Sequence, residues 1–333
     1  MSITLRHPDA EVHIDESADG KRRISVSLLN KSRSIPAESW ETSYPVELIQ
    51  LILEVKGPIH LCDEIMRDES PSYVQLNLKT DILGYMDESD FVKKTILDFG
   101  CGCGASTLVL ARLFPETRII GTDLVEDFIP VARARAQHYG FSDLMFLVSP
   151  GGDQLPEEIG GVDFVVLSAV YEHLLPEERQ TVIPLIWSVL KPGGVLFLDE
   201  TPNRYFFLET HTTGLPLLNY LPDHLALVVS RKFSRRIGVN ESWEMLLRRG
   251  VRGGTETEIM GILRRNSHPS PLLLEPCRLG FHDRIDLWYA LSTAARSSTT
   301  KRLLRVLFKI IKYSTGITFV PYLALAIRKP KGM

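Results

Sequence analysis

Between Thr95 and Glu200, short uninterrupted apolar runs alternate with stretches whose apolar residues recur every three or four positions. Runs of the first kind, bounded by turn residues, read as strands buried on both faces; the second kind reads as helices with one buried stripe. Their alternation predicts a doubly wound α/β fold, a parallel sheet with helices on both faces. Strands are expected at Ile96-Leu97, Arg118–Thr122, Leu144–Val148, Val162–Ser168 and Val195–Asp199, the last entered through a type II turn at Pro192-Gly193. The helix expected over Pro176–Leu190 contains Pro184, which lacks an amide donor and crowds the preceding turn, so a kink is expected there.

Outside this core, which is taken as residues 94–203, the pattern changes. In an arm of residues 1–36, V-H-I-D and R-I-S-V-S-L-L flank a turn at Ser17–Lys21 and predict a hairpin. Residues 37–93 are mainly helical in pattern, with Val46–Val55 and Tyr73–Met86 as amphipathic candidates. An insertion at 204–252 is rich in Leu, Pro and Arg. The core then resumes over 253–280 with a helix at Thr255–Arg265, Thr255 as N-cap and Glu258 completing a capping box, and a sixth strand in P-L-L-L-E-P. A second insertion spans 281–315, and 316–333 holds a terminal strand, T-F-V-P-Y-L-A-L-A-I-R-K, whose Pro321 demands an edge position or a bulge. The two insertions together are expected to form a helical lid.

Chemistry concentrates at I-L-D-F-G-C-G-C-G-A-S, where a strand runs into three alternate glycines and then a helix from Ala105. Gly100, Gly102 and Gly104 let the backbone turn and approach a ligand, and the helix N-terminus supplies unpaired amides and a positive dipole end. Gly100, Gly102 and Ala105 also fit a dinucleotide fingerprint, and Asp123, about 20 residues on, suits a nicotinamide ribose. With Asp98 before it, however, the stretch reads D-x-G-x-G-x-G and resembles motif I of class I S-adenosylmethionine-dependent methyltransferases, a Rossmann-like family. Three later features strengthen the resemblance: R-I-I-G-T-D-L, S-P-G-G-D-Q-L-P, and V-D-F-V-V-L-S-A-V-Y-E-H-L followed by L-K-P-G-G-V-L-F-L-D-E.

The resemblance implies a mostly parallel sheet with a terminal antiparallel strand, and S-adenosylmethionine as cofactor. It places Asp98, Gly100, Cys101, Gly102 and Gly104 around the cofactor's methionyl end, Asp123 on the ribose hydroxyls, Leu124 against the adenine, Asp153 and Gln154 at the adenine edge, and Ser168 at the end of the fourth strand. A non-catalytic S-adenosylmethionine-binding protein and a nicotinamide oxidoreductase stand as alternatives. Taken singly, Asp98 and Asp123 also read as strand-end caps.

The net charge of −3 hides an uneven distribution. Residues 1–204 hold 18 Lys and Arg against 32 Asp and Glu, whereas residues 205–333 hold 20 against 9. The basic half suits an anionic acceptor or a membrane surface, or is a solvated surface balanced by the acidic half. Without an aromatic platform among the basic residues, no nucleic-acid partner is expected. K-R-L-L-R-V-L-F-K-I-I-K-Y, residues 301–313, is a basic amphipathic helix that either packs its apolar side on the core as a lid or lies at a membrane. No 18-residue apolar run and no secretory leader occur, so a cytoplasmic protein is expected, membrane-peripheral if that helix makes contact. The four cysteines lack metal-ligand spacing; they are expected to be reduced thiols, and no metal site is expected.

In open α/β sheets ligands bind beyond the carboxyl ends of the strands, so the methyl acceptor should face the loops after the fourth and fifth strands. His173 is the first candidate base, with Glu172 orienting it or acting in its place. His211 competes, in the loop beyond the fifth strand beside Glu209, Thr212 and Thr213. Each histidine also has a plain structural reading as a packing or capping residue. Arg204 suits a phosphate or carboxylate, or an internal ion pair. Together these readings favour a small-molecule or glycan-linked acceptor, methylated on oxygen. The oligomeric state is not legible.

Overall fold

The computed structural model describes residues 2–30, 35–291 and 299–331. The chain opens with β1 (Ser2–His7), β2 (Ala10–Glu16), β3 (Arg22–Leu28) and β4 (Ser39–Thr42), an antiparallel meander in sequence order. β2 and β3 pair with Val12 opposite Val26, and the sheet continues past residue 36 into β4. Its alternate residues Val12, Ile14, Ile24 and Val26 are buried against α1 (Val46–Lys56) and α2 (Leu61–Glu69). Period-two burial on one face is what a sheet with one wet side requires.

α3 (Val74–Leu83) leads into the central sheet. That sheet comprises β5 (Thr95–Phe99), β6 (Arg118–Asp123), β7 (Met145–Val148), β8 (Val162–Ser168), β9 (Leu190–Pro202), β10 (Leu272–Leu273) and β11 (Tyr322–Arg328), in the order β10-β11-β9-β8-β5-β6-β7. β5 to β9 pair in parallel, and β11 runs antiparallel between β9 and the two-residue edge strand β10. Pro321 stands just outside β11, where its carbonyl accepts from the Asn203 amide, and the register slips between Leu323 and Leu325. The proline is thus accommodated because the strand begins one residue after it.

Alternation along the strands splits the core in two. Leu97, Val165, Leu167, Leu196 and Leu198 pack with α6 (Pro176–Val189) and α9 (Glu256–Arg265). Ile96, Phe164, Val166, Val195 and Phe197 face α3 and α4 (Ala105–Leu113) on the other side. α6 is continuous through Pro184. Thr255 caps α9 by accepting from the Glu258 amide at 3.0 Å, but Glu258 turns to Arg179 at 3.1 Å instead of completing the box.

A buried cation fixes the N-terminal helices to the core. Arg135 of α5 (Phe128–His138) is fully buried, 3.3 Å from Glu64 and 3.8 Å from Asp68, and donates to the Glu64 carbonyl at 2.8 Å. Asp68 also holds Arg112 at 3.1 Å. Removing one member of such a set leaves an uncompensated buried charge.

The insertions form helical layers over the end of the sheet: α7 (Asp223–Phe233) and α8 (Trp243–Arg248) from the first, α10 (Arg284–Leu291) and α11 (Thr299–Thr315) from the second. Of the two readings of α11, the lid with its apolar side packed on the core is largely reversed. Arg305 and Lys309 bond Asp286 of α10 at 2.6 and 2.9 Å, and Lys312 bonds Glu275 at 3.4 Å, so the basic side turns inward. Phe308 is buried against Phe206, Trp288 and Phe319, but Leu303, Val306, Leu307, Ile310 and Tyr313 are exposed. Acids on α10 and beside β10 that pair with the basic residues decide the orientation, and these were invisible to a reading of the helix alone. Among the described residues no helix is long and apolar enough to cross a membrane.

Candidate functional site

The loop after β5 folds tightly against β6. Gly100 and Cys101 donate their amides to the Thr122 carbonyl at 2.8 and 3.0 Å, and Gly102 donates to Asp123 Oδ2 at 2.8 Å. Gly100 has φ +76°, and a Cβ there would stand 2.6 Å from Val170 Cγ2; at Gly104, φ +85°, it would stand 2.7 Å from Ala132 Cβ. Both positions therefore require glycine for conformation and for space. Cys101 is buried beneath the loop, and burial pushes its thiol well above its ordinary value. The C-x-C pair thus fills the loop as an inert element.

Asp98 points away from solvent into the start of α4, where it accepts from Ser106 Oγ at 2.7 Å and Thr107 Oγ1 at 2.6 Å. Burial raises its carboxyl to about 6 despite those two donors. Asp123 also accepts from the Val125 amide at 2.9 Å, so each of its oxygens already holds one backbone donor and keeps a further lone pair for a ligand.

Beyond the strand ends lies a cavity of about 330 Å³ lined by Gly100, Asp123, Leu124, Ser149, Val170 and His173, among others. Leu124 is half exposed, as expected of a side chain with an open flat space before it. Of the other residues expected here, Gly152 reaches the cavity, whereas Asp153 and Gln154 are exposed and outside its lining. Ser168 turns to Asp199 Oδ2 at 3.1 Å. Ala169, just after β8, and Glu200, two residues before the end of β9, have φ +54° and +58°, a conformation that strains non-glycine residues and is common where a backbone is shaped for a site.

Glu172, His173 and His211 converge although the last lies in the first insertion. Glu172 is fully buried, accepts from Thr201 Oγ1 at 3.1 Å through Oε2, and leaves Oε1 without a hydrogen-bond partner among the described residues. Burial raises its carboxyl to about 8. His173 Nε2 stands 3.7 Å from that Oε1, and its Nδ1 lies 2.7 Å from the Arg248 carbonyl of α8. A carbonyl only accepts, so Nδ1 carries the proton and Nε2 presents a lone pair. The His211 ring centroid is 5.8 Å from that of His173. Burial lowers the basicity of both imidazoles, and His173 lowers that of His211 further. Arg204, in contrast, is exposed and outside this cluster.

Several residues here had no signal in the sequence pattern. Arg67 of α2, which lies between the two helices expected in residues 37–93, places its charge near Asp98, His173 and Glu200. A neighbouring cavity of about 320 Å³ is lined by Asn77, Asp81, Glu200, Arg284, Trp288 and Tyr322, among others. Asn77 donates to Glu200, while Asp81 Oδ1 and Arg284 Nη1 have no hydrogen-bond partner among the described residues. Burial keeps Asp81 and Asp199 well above the usual carboxylate range, and the charge of Glu200 adds to this.

Residues 96–194 match the family described as Methyltransferase domain. The chain is similar to the ribosomal protein L11 methyltransferase of Photobacterium profundum, 34% identical over 45% of this chain and 46% of that protein. It is also similar to the carboxy-S-adenosyl-L-methionine synthase of Shewanella baltica, 32% identical over 41% of this chain and 56% of that protein. The chain thus spans about half the length of these curated relatives. Among solved structures, the plantazolicin methyltransferase BpumL in complex with SAH aligns over 86% of this chain and 96% of its own, with 12% identity and a TM-score of 0.46.

Proposed function

We infer that this chain, with a methyltransferase domain over residues 96–194, belongs to the class I S-adenosylmethionine-dependent methyltransferases and moves the sulfonium methyl group to an oxygen of a small or glycan-linked acceptor. The observation that carries this reading is the glycine loop closed onto Asp123 at the mouth of the Leu124-lined cavity. There Asp123 takes the ribose hydroxyls, Leu124 the adenine face, and Gly100 to Gly104 the methionyl chain. Arg67 pairs with the methionyl carboxylate. Asp98 supports the loop from behind through Ser106 and Thr107.

The sulfonium already supplies the leaving group and the positive charge, so what remains is positioning, exclusion of water and removal of one proton. The acceptor oxygen attacks the methyl carbon in line with the breaking C–S bond; the thioether leaves neutral, and the acceptor proton passes to His173 Nε2. The Arg248 carbonyl holds the required tautomer, and Glu172 stabilises the imidazolium that forms. His211 is the alternative proton acceptor. A polar acceptor finds hydrogen-bonding groups in the neighbouring cavity, where Arg284, held by Glu256 at 2.7 Å through Nη2, keeps Nη1 as a donor for an acceptor oxygen.

Mass spectrometry of small-molecule extracts incubated with isotopically labelled S-adenosylmethionine tests the reading. Label in an extract component, with S-adenosylhomocysteine formed in equal amount, is the expected result. Binding of NADH in calorimetry without binding of S-adenosylhomocysteine would replace the reading with an oxidoreductase.

The outward apolar stripe of α11 favours a further element, contact with a lipid surface through Leu303, Val306, Leu307, Ile310 and Tyr313. Co-sedimentation with phosphatidylcholine liposomes, reduced by Leu303→Ser and Ile310→Ser, is expected; no sedimentation of the unaltered chain removes this element and leaves the catalytic reading standing.

A further inference from the structure

We propose that Glu172, His173 and His211 form a binding site for one divalent transition-metal ion. One ligand atom from each residue can be chosen so that all lie within 4.8 Å of one another. Atoms sharing a zinc ion at bond lengths of about 2.0–2.2 Å stand about 3.3–3.6 Å apart in a tetrahedral site. The observed 3.7 Å between His173 Nε2 and Glu172 Oε1 is already close to this, and small side-chain rotations complete the set.

Two observations beyond proximity point to a ligand. Glu172 Oε1 is a buried oxygen with no hydrogen-bond partner among the described residues, and His173 Nε2 stands beside it. Leaving such an oxygen unsatisfied is costly, and a bound cation removes the cost. The Arg248 carbonyl on His173 Nδ1 is the outer contact that orients a metal-binding imidazole, presenting Nε2 as the donor. Gly250 keeps the ligands in register: a Cβ there would approach His211 Cδ2 to 2.8 Å and Glu172 Cγ to 3.0 Å. The first insertion thereby presses its histidine against the core glutamate.

Two imidazoles and one carboxylate suit Zn²⁺ or Co²⁺ and leave a coordination position open, and one of the three ligands, His173, also lines the cofactor cavity. That position accepts an oxygen donor, so the ion would bind acceptors through a hydroxyl, enolate or carboxylate oxygen and lower the acceptor's pKa, with His173 no longer free as the base. The role of the ion in catalysis rests on the proposed methyl transfer; its binding does not.

Chelator-treated full-length protein is titrated with ZnCl₂ by calorimetry and with CoCl₂ by visible absorption, and S-adenosylhomocysteine binding is measured on the same preparations. One equivalent of each metal is expected, with cobalt bands lacking sulfur-to-metal charge transfer and affinity falling at least tenfold in His211→Ala and Glu172→Gln. His211→Gln, assayed with a circular dichroism control, serves if the alanine variant fails to fold. Equal affinity in all variants, dependence on the exposed Cys277 (tested with Cys277→Ser), or no binding would overturn the site. S-adenosylhomocysteine binding without zinc binding removes only the metal site, and the converse removes only the methyltransferase reading.

Discussion

The rings of His173 and His211 lie 5.8 Å apart, one just beyond β8 and the other in the loop after β9. The first insertion therefore does more than cover the sheet: it completes a polar cluster at the strand ends, held by Arg248 through paired contacts to Glu178 at 2.6 Å each.

On the proposed mechanism His173 is the side chain whose loss should cost turnover most. In metal-free protein His173→Ala is expected to lower kcat about 10²- to 10⁴-fold, the usual range for a general base, while the Kd for S-adenosylhomocysteine changes less than about threefold, a small effect by comparison. Steady-state kinetics beside calorimetry separate the two quantities. A variant with unchanged kcat would remove His173 from proton transfer.

Gly100→Ala tests the loop. The new methyl group would meet Val170 Cγ2 at 2.6 Å in a backbone region that L side chains avoid. Strain of about 1–3 kcal/mol is expected in the thermal or urea transition, together with at least tenfold weaker S-adenosylhomocysteine binding. Gly100→Ala combined with Val170→Ala should recover part of the stability, because the space is restored but the φ strain remains.

Asp98 imposes a pH dependence on stability. Its carboxyl stands at about 6 in the fold against 3.8 for the free side chain, so the folded state holds the proton more tightly. Its stabilising contribution is present in full below pH 3.8 and is lost as the pH rises through 6. Asp98→Asn removes this titration and leaves an oxygen to accept from Ser106 and Thr107. Urea midpoints measured from pH 4 to 7 should show the unaltered chain losing up to about 3 kcal/mol relative to the variant; parallel curves would contradict the assignment.

Asp286 anchors α11. It is buried and receives both Arg305 and Lys309, whose pull holds its carboxyl below the usual range. Asp286→Ala leaves Arg305 without its carboxylate and Lys309 with only Asp283, at 3.5 Å, and a loss of about 2–4 kcal/mol is expected, as for other broken partly buried pairs. Limited proteolysis should cut near residues 299–315 in the variant before the central sheet unfolds.

The central sheet was legible because buried parallel strands leave continuous apolar runs, and because the glycine loop has a local backbone requirement that only glycine meets. The placements of Asp123 and Leu124 follow from the same βαβ unit. Asp153 and Gln154 were harder: they sit in a turn whose register no hydrophobic pattern fixes, and both face solvent. Arg67, Asp81 and Glu200 come together from α2, α3 and β9, so only tertiary packing relates them. The α11 orientation shows the limit of moment-based reasoning. A helix with one basic and one apolar side packs by whichever side finds partners, and here Asp286 and Glu275 supplied them.

With Arg305, Lys309 and Lys312 neutralised internally, the surplus positive charge of the C-terminal half is not all available to water. What this segment offers the solvent is mainly hydrocarbon. Raising ionic strength should accordingly strengthen its adhesion to uncharged surfaces, the opposite of the behaviour that its run of lysines and arginines would suggest.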